Sequence, residues 1–299
     1  MVRARDYADG HGGPLIHCGW ALNLSLSTGS LYIYPLRAVL RMARQAGFDG
    51  VEIGVNPEVV ARGGQAVRRL VEAEGLALFS VHPTLLPIPG WRERHGGLGR
   101  TIQLAQAAGA GVLVFHVPRS TSLDMGPALV LQQDIERWQA RLAGSGLRLA
   151  IENKSIQSRA DWSLALSPID RLLAFAERYD LGLVLDTTHA GSAGVDILAA
   201  RRAFEGRLAN VHLSDLGGRH LLAAQPLLVS VLEQHGFPGS GRLPLAALLA
   251  DLAGSGYGGP VTLEVSPVGL RVWWPPAVRR RLARAAAWMR RHAAGAVSP

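Results

Sequence analysis

A chain of 299 residues, 48% of them hydrophobic, can bury a large core and suits one α/β barrel without requiring a second domain. No apolar run approaches the ~18 residues of a membrane-spanning helix, and Cys18 stands alone, which excludes a disulfide framework or a thiolate zinc site within the chain. The formal charge of +8 comes almost wholly from arginine and admits an anionic or nucleic-acid partner, but Arg41, Arg44, Arg68, Arg69, Arg279, Arg280 and Arg281 fall on expected helices and read as a solvated outer face.

Residues 1–18 carry charge and glycine but no apolar signal segment, so they are expected to form a tail on a cytoplasmic protein with no membrane partner. Residues 19–294 are expected to form one barrel domain, and 295–299 a second tail. Residues 20–27 alternate apolar and polar side chains, the period of a first strand. A helix is predicted over 34–46, stopped by Gly47 ahead of a short strand carrying Glu52. Asn56-Pro57 reads as a cap followed by proline at the first helical position, opening a helix to about residue 74.

The alternation continues with a strand over 76–82, a stiff apolar loop through Trp91 and a helix over 98–108. A strand over 111–116, a helix over 126–142 and a strand over 147–152 come next. Ser167-Pro-Ile-Asp170 is an N-cap signature for a helix to residue 177. Strands over 181–186, 208–213 and 260–265 complete the set, with helices over 195–204, 243–253 and 276–292. A strand and a helix alternating eight times imply a parallel sheet closed into a single-domain (β/α)8 TIM barrel. An open doubly wound sheet fits less well, since no Gly-rich phosphate fingerprint follows the first strand.

The expected strands end in His82, His116, Glu152, Asp186, His212 and Glu264, and in such a barrel those ends converge on one mouth. Period-two alternation puts Lys154 on the face of Glu152, with Asn153 turned away; Ser214 shares a face with His212 and Ser266 with Glu264. Several carboxylates in one mouth would repel, and some would protonate unless a cation compensated them. Two glutamates, an aspartate and a histidine make a hard, mostly oxygen site suited to a divalent ion such as Mn, Mg, Co or Zn.

Five segments carry a family resemblance: Gly47-Phe-Asp-Gly-Val-Glu-Ile53, Ile151-Glu-Asn153, Leu185-Asp-Thr-Thr-His189, Val211-His-Leu-Ser-Asp215 and Val261-Thr-Leu-Glu264. Together they resemble the xylose isomerase-like TIM barrel superfamily, the sugar and sugar-phosphate isomerases and epimerases with the type IV apurinic endonucleases as relatives. The resemblance implies that Glu152, Asp186, His212 and Glu264 hold the metal. It places Arg219 and His189 where epimerases hold substrate hydroxyls, although Arg219 lies one residue further from the metal histidine than usual.

The endonuclease relatives use three zinc ions. Their further ligands would fall on His82, His116, His189, Glu233 and His235, and His235-Gly-Phe-Pro-Gly-Ser-Gly241 resembles the corresponding turn. Against that branch, Glu233 stands where an Asp is expected, the connection after His212 is long and apolar, and the opening strand and helix resemble the isomerases. Lys154, the only lysine of the chain, also resembles the isomerases, whose fifth strand carries Glu-x-Lys.

The expected activity is therefore isomerisation or epimerisation of a sugar, sugar phosphate or polyol derivative. Glu152 and Glu264 exchange the proton, and Lys154 and Arg219 stabilise negative charge or hold a phosphate. Nucleic acid is a partner only in the endonuclease alternative. Glu52 is read two ways, as a binder of a substrate hydroxyl or as the partner of an arginine at the barrel rim. Trp91, Trp273 and Trp274 fall in loops at the mouth, where they stack on a sugar ring or simply pack. Residues 221–232 would cap the barrel or form a contact in a homo-oligomer.

Overall fold

The computed structural model describes residues 22–84, 88, 89, 91, 96–116, 118–217 and 234–295. Eight strands close into a barrel in sequence order. They are β1 (Asn23–Ser27), β2 (Gly50–Gly54), β3 (Ala77–His82), β4 (Val112–His116), β5 (Arg148–Glu152), β6 (Gly182–Asp186), β7 (Leu208–Leu213) and β8 (Pro260–Leu263). Each pairs in parallel with the next, and β8 returns to β1. The architecture is the (β/α)8 barrel expected from the alternation.

Strand alternation sorts the side chains into two populations. Leu24, Leu26, Val51, Ile53, Leu149, Ile151, Leu183, Leu185, Val211 and Leu263 point outward into the core shared with the helices. Each such side chain contributes ~1.5–3 kcal/mol on burial, which is what binds the helix ring to the barrel. Val112, Val114, Ala150, Val184 and Ala209 form a separate small cluster inside the barrel. Nearer the mouth the interior turns polar, with Ser25, Glu52, Ser80, Asn210 and Thr262 all fully buried.

Several elements depart from the expected boundaries. The helix expected over 56–74 is two, Pro57–Arg62 and Gly64–Ala73, broken where Gly63 takes a positive φ of 73°. Asn56 caps the first as predicted, accepting from the Val59 N–H. Ser167 is not the cap of the following helix: Pro168 occupies that position, and the Ser167 hydroxyl donates to the Asp161 carbonyl. Short helices at Arg159–Ser163, Thr187–Ser192 and Pro267–Leu270 sit in βα connections where the sequence predicts no helix. The expected tail over 1–18 and the subunit contact over 221–232 lie outside the described residues. Among the described residues no helix is long and apolar enough to cross a membrane.

The β2–β3 register shifts between Val51 and Glu52, which puts Glu52 level with Ser80. Gly50 lies under this irregularity, where an added Cβ would collide with the Ala77 carbonyl and the Phe79 ring. Backbone cannot yield as a flexible side chain can, so Gly50→Ala is expected to cost ~1–3 kcal/mol. A lowered urea midpoint would show this; a midpoint equal to wild type would refute the packing argument.

Candidate active site

The site is built from the last inward residue of successive strands. His82 ends β3, His116 ends β4, Glu152 ends β5 and Asp186 ends β6, while His212 is the penultimate residue of β7 and Glu264 follows β8 directly. The structure brings all six together, with His189 from the helix Thr187–Ser192 and His235 from the loop before residue 245.

Glu152 is the hub, 2% exposed. One carboxylate oxygen lies 3.2 Å from His116 Nε2 and 3.7 Å from His82 Nε2; the other lies 3.2 Å from His189 Nδ1 and 3.5 Å from His212 Nδ1. Asp186, fully buried, caps its own helix by accepting from the His189 N–H at 2.6 Å, which fixes the approach of both side chains. Asn153 clips β5 to β6: its side chain accepts from the Asp186 N–H at 2.7 Å and donates to the Asp186 carbonyl at 3.1 Å.

Backbone and carboxylate acceptors select one tautomer for each of three imidazoles. His82 donates from Nδ1 to the Pro83 carbonyl at 2.8 Å, and His189 from Nδ1 to the Asn153 carbonyl at 3.0 Å. When either ring is neutral, its lone pair is therefore on Nε2. His212 is reversed. Its Nε2 donates to Glu52 Oε2 at 3.1 Å, which leaves Nδ1 facing Glu152 and Glu264. A carboxylate orienting a histidine whose other nitrogen faces a cluster of acids is the outer-shell arrangement of metal sites.

This corrects both readings of Glu52. It neither reaches the rim nor faces an arginine; it lies fully buried beneath the mouth, where Oε2 accepts from Ser80 Oγ, Asn210 Nδ2 and His212. Thr262 Oγ1 donates to Asn210 Oδ1 and extends the chain of bonds to β8.

The donor set fits a cation. Glu152 Oε2, Asp186 Oδ2, His212 Nδ1 and Glu264 Oε2 are buried and have no hydrogen-bond partner. His212 Nδ1 and Glu264 Oε2 lie 2.7 Å apart but are misaligned for a hydrogen bond, as two donors aimed at a shared point would be. Three overlapping groups each bring their ligand atoms within 4.8 Å: His82 with His116 and Glu152, Asp186 with His189 and His235, and Glu152 with Asp186 and His212. A fourth joins Glu52, His212 and Glu264. Glu52 Oε2 orients His212, while its Oε1 is also buried without a hydrogen-bond partner.

Charge is distributed accordingly. Burial opposes the charge on Glu152, but His212, His116 and His189 hold its carboxyl well below the ordinary range. Burial likewise opposes the charge on Glu264, and His212, then His235, hold that carboxyl low. Burial alone would lower His82; its bond to Glu152 and the fields of Glu52 and Glu264 raise it to about 9. His189 is raised to about 9 against the same burial penalty, chiefly by Asp186 and Glu152. Lys154 is pushed down by burial and then by Arg119.

The cluster opens into a cavity of about 320 Å³ walled by His116, Glu152, Lys154, His189, His235 and Glu264. Lys154 thus reaches the site as its strand face predicts. Arg219 and Glu233 lie outside the described residues. Trp273 and Trp274 are exposed and do not line the cavity, and Trp91 packs against the core. Asp215 was missed. It accepts from the N–H groups of Leu216, Gly239, Gly241 and Leu243, and so folds the loop that presents His235. Its place at the end of the segment Val211-His-Leu-Ser-Asp215 and the turn residues of 236–241 are the sequence signals for it.

A family profile described as the xylose isomerase-like TIM barrel matches residues 40–292. The chain belongs to this family. Among its relatives is an uncharacterized protein of Mycobacterium tuberculosis, 30% identical over 287 residues, with 84% of this chain and 91% of that protein covered. A 3-dehydroshikimate dehydratase of Pseudomonas aeruginosa is 31% identical over 245 residues, covering 76% of this chain but 35% of its own length. The chain therefore spans about a third of that dehydratase. The apo structure of 3-keto-D-glucoside 4-epimerase from E. coli superposes with a TM-score of 0.65 at 18% identity, covering 90% of this chain and 99% of that one, a likeness of fold.

Two outcomes follow for this xylose isomerase-like barrel. Removing the charge that orients His212, by Glu52→Gln, should weaken divalent-metal binding ~10–100-fold in a chelator competition; unchanged affinity would remove Glu52 from that role. With His82 and His189 raised to about 9, both carry protons at neutral pH in the metal-free protein. A cation held by Glu152, Asp186, His212 and Glu264 repels these neighbouring imidazolium charges and expels their protons, so affinity should climb as pH rises toward about 9, with proton release measurable by calorimetry in buffers of different ionisation enthalpy. Affinity flat across neutral pH would contradict this.

Proposed function

We propose that this protein is a divalent-metal-dependent isomerase or epimerase of a sugar, sugar phosphate or polyol derivative, acting by proton transfer through an enediolate. The observation that carries the reading is that Glu152 and Glu264, both carboxyls held low by the histidines, meet at His212 Nδ1 and both stand on the wall of one cavity. About 320 Å³ lies at the small end of ligand sites, a size that accommodates a sugar.

Glu152, Asp186, His212 and Glu264 would hold the ion, which when bound acidifies a C–H beside a carbonyl by Lewis-acid polarisation. Glu264, the more open of the two glutamates at 20% side-chain exposure, takes or returns the proton from the cavity side; Glu152 serves the other direction. Lys154 lines the same cavity and supplies positive charge to a bound substrate. His189, anchored through Nδ1, offers Nε2 to a substrate hydroxyl. Arg219 is assigned the same holding role from the family resemblance alone. The dehydratase relative supports the reaction class, because dehydrating a β-hydroxy ketone also begins with loss of the proton beside the carbonyl.

A second reading has its own observation. Glu152 and Asp186 each belong to two ligand groups, so the donors suffice for more than one ion, as in an apurinic endonuclease whose zinc ions activate water at a phosphodiester. Metal content separates the two: one exchangeable Mn, Mg or Co ion per chain is expected, and about three zinc ions, with salt-sensitive DNA binding, would favour the endonuclease. The proton-transfer scheme is tested by incubating ketoses and ketose phosphates in D2O. Deuterium should enter at the carbon beside the carbonyl, and Glu152→Gln or Glu264→Gln should slow this ~10²–10⁴-fold. Exchange persisting in both variants would rule out the two-base scheme.

A further inference from the structure

We propose that the β5 side of the cavity is an anion subsite, in which the Lys154 ammonium binds a carboxylate or phosphate carried by the substrate. The inference rests on the small-molecule reading above and narrows it: the substrate is an acid, not a neutral sugar.

Lys154 is the one lysine in a chain with 31 lysines and arginines, so an arginine-rich composition has kept a compact ammonium at this position alone. The side chain is half-buried and lines the cavity beside Asn153, Ser155 and Gln157. Among the described residues no carboxylate forms an ion pair with it. The nearby acids are committed elsewhere. Asp161, 1% exposed, is bound to Arg119 at 2.7 Å and held by the N–H groups of Gln157 and Ser158 and by the Ser158 hydroxyl. Glu152 is engaged by His116, His189 and His212.

A cation partly withdrawn from water with no counter-ion is costly, and an arriving anion removes that cost through a charge-assisted hydrogen bond. A neutral hydroxyl would accept one hydrogen bond and leave the charge unbalanced. Arg119, fixed by Asp161 at 2.7 Å yet 61% exposed, adds a second positive charge near Lys154. Ligand atoms for a metal and an ammonium for an anion thus face one cavity, so the substrate would present a hydroxycarbonyl to one and its acid group to the other.

The test is calorimetric titration of the protein as purified with inorganic phosphate and, separately, acetate, on wild type, Lys154→Met and Lys154→Arg matched for metal content. Wild type should bind at least one of the two anions. Lys154→Met should weaken that binding about tenfold or more, and Lys154→Arg should keep it within a few-fold, showing that charge and not fold is responsible. Tighter binding of phosphate assigns a phosphorylated substrate, and tighter binding of acetate a carboxylic acid. Equal anion affinity in wild type and Lys154→Met would overturn the proposal. Because the titration needs no turnover, that failure is distinct from a failure of deuterium exchange.

Discussion

Everything at the mouth of this barrel is arranged around a buried carboxylate that cannot be satisfied by hydrogen bonds alone. Glu152 is approached by four imidazoles from β3, β4, β7 and the connection after β6, yet one of its oxygens remains without an aligned partner. Burying a carboxylate is tolerable only when opposite charge comes with it. In the metal-free protein, protonated histidines provide that charge, and His82 and His189 are accordingly raised. A divalent cation would supply it more densely and release the protons. The barrel makes such a cluster possible because its strands all deliver their last inward residue to one ring.

Support for the cluster runs deeper than the ring itself. Thr262, Asn210, Ser80 and Glu52 form a buried polar layer that ends on His212 and sets which of its nitrogens faces the cavity. Thr187 and Thr188 reach across to β7 through the Ser214 backbone and hydroxyl, and Ser214 Oγ meets His235 Nδ1 at 3.0 Å. Asp215 then gathers four backbone N–H groups of the His235 loop. Each of these residues acts by holding another, so rotamers at the site are fixed before any ligand arrives.

The strand ends were legible because one strand period and one family pattern agree on the same residues: Glu152, Asp186, His212 and Glu264 could be paired with their strands without coordinates. The role of Glu52 was not. Its partner His212 lies 160 residues away, and the β2–β3 register shift that sets its height has no signature in composition. Asn153, expected to turn away from the face of Glu152, lines the cavity with it, and its use as a clip on the Asp186 backbone depends on β5–β6 register. The short helix Thr187–Ser192 is not apparent in the sequence, where Asp186 reads as a metal ligand; its Oδ1 caps the helix and its Oδ2 has no hydrogen-bond partner. The cap explains how His189 comes to face Glu152.

A cation shared by the strand-end carboxylates and imidazoles, as proposed, would be visible directly. The most direct measurement is an anomalous difference map from crystals of the protein grown with manganese. A single strong peak is predicted at bonding distance, about 2.0–2.3 Å, from Glu152, Asp186, His212 and Glu264. A peak elsewhere, or none while His212 Nδ1 turns to form an aligned hydrogen bond with Glu264, would contradict the account.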